Sequence, residues 1–161
     1  MNIRYSTVAL LAAGLLGLAA CNYDFPLTGT PTRKVDARLL GDWVHFEQDE
    51  QKLEQLSVRQ LDANAYVVAM DGDLYRVTHS DFADTAFVSV QDLQPGDLHG
   101  KYAYYAWELS ADGHQLSVKG VRTRIVPEDT KDAAAAQKLI RENLANPALY
   151  GEPQVFTPKK R

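Results

Sequence analysis

The chain has 161 residues, with 17 Lys and Arg against 21 Asp and Glu, for a formal net charge of −4. That length suits one domain with its own core. The acidic balance argues against binding to nucleic acid and against electrostatic docking on an anionic membrane. Residues 1–20 read as a signal peptide. Met1-Asn2-Ile3-Arg4 is a short positive n-region, and Val8 to Ala20 is an uncharged apolar run of 13 residues. This is the length of a signal-peptide core and well short of the about 20 residues that span a bilayer.

The run ends at Cys21, the one cysteine of the chain. Leu18-Ala19-Ala20-Cys21 resembles the lipobox of bacterial lipoproteins. The resemblance implies cleavage between Ala20 and Cys21, diacylglycerol on the Cys21 thiol and an acyl chain such as palmitate on the new α-amine. The chemistry needs a thiol to take the lipid and small residues before it for the peptidase. In that family an Asp after the cysteine retains the protein in the inner membrane. Asn22 stands there instead, which implies a lipid anchor in the outer membrane with the protein facing the periplasm. Removal of residues 1–20 leaves a net charge of −5 and no possible intramolecular disulfide, so the mature fold rests on packing alone.

Residues 21–36 read as the lipidated N-terminus and a flexible tether. "NYDFPLTGTPTRKVD" holds Pro26, Gly29 and Pro31 and shows no apolar period. Flexible, it would span roughly 20 Å on average and let the domain float clear of the headgroups.

Residues 37–161 read as one β domain with a C-terminal helix. "LLGDWVHFE", "LEQLSVRQL", "AYVVAM", "LYRVTHS", "TAFVSVQDL", "KYAYYAWEL" and "QLSVKGVRTRIV" are short strand-like runs between turn signals. One turn is expected around Gln48 to Gln51. Asp71-Gly72 and Asp112-Gly113 mark hairpins. After Pro127 the period changes: Ala133, Ala136, Leu139, Ile140 and Leu144 share one helical face. Asp129 or Thr130 would cap it, and Asn146-Pro147 would stop it. "PQVFT" then reads as a last short strand or a packed loop. The fold class is mainly β, an antiparallel meander of about seven or eight strands forming a small barrel or curled sheet, with one amphipathic helix packed outside. In the first strand, alternation puts Trp43 and His45 on one face and Val44 and Phe46 on the other. The second pair predicts that the helix covers the strand there.

Gly41-Asp42-Trp43 resembles the G-x-W that opens lipocalin-type (calycin) barrels. The resemblance implies a buried Trp43 with a basic residue of the last meander strand, Arg122 or Arg124, over its ring. It also implies a non-enzymatic binding or assembly module for an apolar small molecule or a partner protein in the envelope.

Catalytic signals are sparse. There is no G-x-S-x-G and no Gly-rich phosphate loop, and no cysteine besides Cys21 is left to act as a nucleophile. His45, His79, His99 and His114 form no metal-ligand pair, and His79 with Asp81 reads as a polar strand end. The acidic residues fall mostly in turns. No metal or cofactor is expected beyond the covalent lipid on Cys21. The aromatics suggest more: Trp43, Tyr105 and Trp107 are candidate ligand or partner residues, Tyr105 and Trp107 sharing a face opposite Tyr102 and Tyr104. The alternatives are an envelope hydrolase using turn carboxylates and a purely structural lipoprotein.

Overall fold

A computed structural model describes residues 22–47 and 51–160. The expected signal peptide, Cys21 and most of the first expected turn lie outside the described residues. Eight strands close an antiparallel barrel in chain order: β1 Gly41–Glu47, β2 Lys52–Gln60, β3 Ala65–Met70, β4 Asp73–Phe82, β5 Thr85–Asp92, β6 Tyr102–Leu109, β7 Leu116–Gly120 and β8 Gln154–Pro158. The one α-helix among the described residues, α1, spans Ala133–Asn143. "PQVFT" thus supplies a closing strand. Trp43 faces Pro158 across the β1–β8 seam, which leaves no open sheet edge. The register, followed from Trp43 once around the wall, returns to β1 twelve residues further along. A stagger larger than the strand number means steeply tilted strands and a wide interior.

The alternation read from the sequence holds. Trp43, Leu56, Val58, Tyr66, Val68, Val77, Val88, Tyr105, Trp107, Leu116 and Phe156 form the inner cluster. At Asp71-Gly72, φ is 51° and 99°. Both residues are left-handed, which matches the primed turn that the strand twist of a two-residue hairpin demands. The next hairpin adopts positive φ at Ala83 and Asp84 without a glycine.

One end of the barrel is sealed. The chain before β1 makes a 3-10 turn, Ala37–Leu39, whose Leu39 is buried in the inner cluster. Trp43 is 2 % exposed, and its indole N–H donates to the Leu39 carbonyl at 2.9 Å. Neither Arg122 nor Arg124 stacks on it. The expected seventh strand stops at Gly120, and residues 122–126 turn back on themselves through bonds from Ile125 and Val126 to the Arg122 carbonyl. Both arginines therefore sit on the crossover rather than the wall. A cation does lie over a ring elsewhere: Arg141 is 5.1 Å from the centre of Phe82.

The helix packs outside the barrel, but not over Val44 and Phe46. Ala136 and Ile140 are buried with Tyr23, Leu27, Phe82, Phe87, Tyr104, Val121, Val126 and Leu149 in a second cluster, over the outer faces of β5 and β6. Phe46 stays 51 % exposed. The helix begins later than the expected caps, because Asp132 accepts from the Ala135 N–H at 2.8 Å.

Residues 22–36 are laid along the wall as a strap. Tyr23 and Tyr102 exchange backbone bonds of 3.0 and 2.8 Å. The Tyr23 ring stacks on Tyr104, with centroids 4.4 Å apart, and its hydroxyl donates to the Val126 carbonyl. Leu27 N–H donates to Ser89 Oγ, Thr28 meets Ser80, and Arg33 pairs with Asp81 at 2.6 Å. Composition concealed this packing because the apolar contacts of Tyr23, Phe25 and Leu27 are interrupted by Asp24 and Pro26, and because Thr28 and Thr32 hold the wall through their hydroxyls, at Ser80 and at the Asp81 N–H.

Candidate functional site

The end opposite the Leu39 plug is where β1 meets β2, β3 meets β4 and β5 meets β6. The register brings one residue from each strand to a common level below this rim: His45, Leu56, Met70, Tyr75, Val90, Tyr105, Val118 and Gln154. All face inward. Met70, Tyr75, Val90 and Val118 pack on the inner cluster yet are only partly buried. Solvent therefore reaches apolar interior surface from this end, whereas Trp43 and Val58 beneath it are sealed. Gly120 lies opposite Tyr105 on β7, and a Cβ there would come within 3.3 Å of the Tyr105 ring. The missing side chain lets that ring lie against the wall.

Polar groups frame the cup. His45 Nδ1 lies 2.9 Å from the Val155 carbonyl, so that nitrogen carries the proton and donates. Gln154 Nε2 reaches Glu54 Oε2 at 3.3 Å. Lys52 bridges Asp71 at 2.7 Å and Glu54 at 3.7 Å. Burial pushes the Tyr75 phenol above its ordinary range, and Asp73 and Asp92 push it further, so it stays a neutral donor.

The three aromatics expected to form a site separate by depth. Tyr105 belongs to the cup. Trp43 is part of the floor. Trp107 lies deep as well, 5.5 Å from the Tyr66 ring and 5.2 Å from His79, edge-on to both. The Tyr66 hydroxyl accepts from the Asp36 N–H at 2.7 Å and ties the plug to the wall. His79 is buried, and burial, helped by nearby Arg33, lowers its pKa to about 4. Asp81 bonds Arg33, which holds its carboxyl below the ordinary range. At the sealed end, His79 is therefore a buried ring against Trp107 and not part of a polar strand end, while Asp81 is the ion-pair partner of Arg33. Among the described residues no three His, Cys, Asp or Glu side chains are placed to hold a metal ion.

Met70, Tyr75, Val90, Val118 and Gln154 were not legible as site residues. The signal is the register, which brings them level with Tyr105, and no single strand carries it. A separate groove of about 590 Å³ lies outside the sealed end, lined by Leu40, Gly41, Asp42, Arg59, Pro158, Lys159 and Lys160. Arg59 is engaged by Asp42 at 2.7 Å and Lys159 by Gln55 at 3.0 Å.

No family model, curated protein or solved structure matches the chain.

Proposed function

We propose that this is a lipid-anchored envelope protein, lipocalin-like in type, that holds an apolar small molecule in the open end of its barrel without transforming it. One observation carries the reading: an inward apolar wall of Met70, Tyr75, Val90 and Val118 that is left partly unburied above a sealed floor. Ligand cups combine such a wall with a few placed polar groups, here Tyr75, His45 and Gln154. The Cys21 lipid fixes the protein to the outer membrane on its periplasmic side.

The test is a titration with the neutral apolar fluorophore N-phenyl-1-naphthylamine. Saturable one-site binding is expected. Val90→Trp or Val118→Trp, filling the cup, weakens it by about tenfold or more while thermal unfolding stays cooperative. Failure of the wild-type protein to bind the probe overturns the reading.

A further inference from the structure

We infer that the open end of the barrel docks on a zwitterionic lipid surface, so that the cup opens toward the bilayer. The inference rests on the lipid at Cys21 and adds an orientation to it.

Five large apolar side chains are between 37 and 58 % exposed at this end: Phe46, Leu53, Leu74, Leu93 and Leu98. They come from three different connections. Phe46 and Leu53 face each other across the β1–β2 hairpin. Leu74 is the second residue of β4, and Leu93 donates its N–H to the Leu74 carbonyl at 3.1 Å. Leu98 lies in the β5–β6 loop. Scattered exposed leucines are ordinary, but a rim of them at one end marks an interaction surface. Of the seven large exposed apolar residues among those described, Leu61 lies at the sealed end and Val155 on the outer wall of β8.

The chain itself names the occupant. Tyr23 is fixed by its backbone exchange with Tyr102, the first residue of β6 and hence at the same end. Asp24 reinforces that point through its ion pair with Lys101. Cys21 is two residues earlier, so its lipid attaches within about 8 Å of that fixed point. With the strap held on the wall, the anchor draws this end, and not the sealed one, onto the membrane. The carboxylates of Glu47, Asp71, Asp73 and Asp92 at the rim disfavour an anionic leaflet and suit a surface presenting ammonium groups.

The experiment uses the full chain, produced with its leader in a bacterium and recovered from membranes, with its mass recording the lipid. Leu53→Cys, Leu98→Cys and, for comparison at the sealed end, Leu61→Cys are labelled with an environment-sensitive fluorophore. Each is reconstituted on phosphatidylcholine vesicles containing a doxyl-lipid quencher. All three residues are exposed, so the variants fold. Quenching at 53 and 98 is expected to exceed that at 61 at least twofold, and to diminish when phosphatidylglycerol is added. Lipidated protein with equal quenching at all three positions overturns the docking and leaves the anchor standing. Labels shielded at 53 and 98 without vesicles, in a dimer, overturn it in favour of a second copy. A protein mass without lipid overturns both.

Discussion

Trp107 donates its indole N–H to the ring edge of His79, 3.1 Å from Nε2 and 3.3 Å from Nδ1, inside the sealed end of the barrel. The contact requires an imidazole nitrogen without a proton. Burial already favours that neutral form and brings the pKa to about 4 from an ordinary 6.5. Above 6.5 the folded and unfolded chains both hold the neutral ring, and no cost arises. Below it the unfolded chain takes up the proton first. Folding stability therefore falls as pH drops from about 6.5 to about 4, by on the order of 3 kcal/mol. His79→Gln keeps an acceptor and cannot titrate. Urea unfolding at pH 7 and pH 4.5 is expected to show a smaller acid loss in that variant, and an equal loss in both proteins counts against the assignment.

Trp43 joins the β1 wall to the plug. Trp43→Ala removes a buried ring and a bond to the Leu39 carbonyl, and is expected to cost about 3–5 kcal/mol. Trp43→Phe keeps most of the volume and isolates the bond. Its additional loss over simple volume change is about 1 kcal/mol, read from chemical unfolding midpoints.

Tyr23 fastens the strap through its stack on Tyr104 and its hydroxyl bond to Val126. Tyr23→Ala is expected to destabilise by about 3 kcal/mol or more and to release the strap before the barrel opens. Trypsin then cuts at Arg33-Lys34 faster than in the wild type, while the far-ultraviolet β signal persists. Unchanged cleavage means that the later strap contacts hold it alone.

Cys21→Ser removes the thiol that would carry the lipid. Growth with labelled palmitate is expected to mark the wild-type protein and leave the variant unlabelled, with its leader uncleaved. Absence of label in the wild type rules out the anchor.

Short-range chemistry made much of this fold legible. Strand alternation put Tyr105 with Trp107 and Trp43 with His45 on shared faces because a pleated strand fixes the face of every second residue, and Asp71-Gly72 fixed a hairpin because both positions needed left-handed backbone. Long-range partnerships were the hidden part. The helix stripe of Ala136 and Ile140 has the right period for a barrel wall, but period does not say which wall. The stripe packs on Phe87 and Tyr104 of β5 and β6, not on Val44 and Phe46. The strap escaped notice because its apolar residues sit between prolines and threonines, and its bonds run to residues some fifty positions or more away, such as Ser80 and Ser89. The cup was hidden for the same reason: Met70, Val90 and Val118 become neighbours only through the stagger of the wall.

The seam between β1 and β8, with Trp43 opposite Pro158 and Val44 opposite Thr157, sets the order of assembly. As the chain is made from its N-terminal end, β1 to β7 can pair with their neighbours as each appears. The free flank of β1 stays unmatched until residues 154–158 arrive, after the helix. Contacts of such sequence separation are slow to form. The half-built wall meanwhile presents a raw strand flank, the edge on which an incomplete chain would pair with its neighbours.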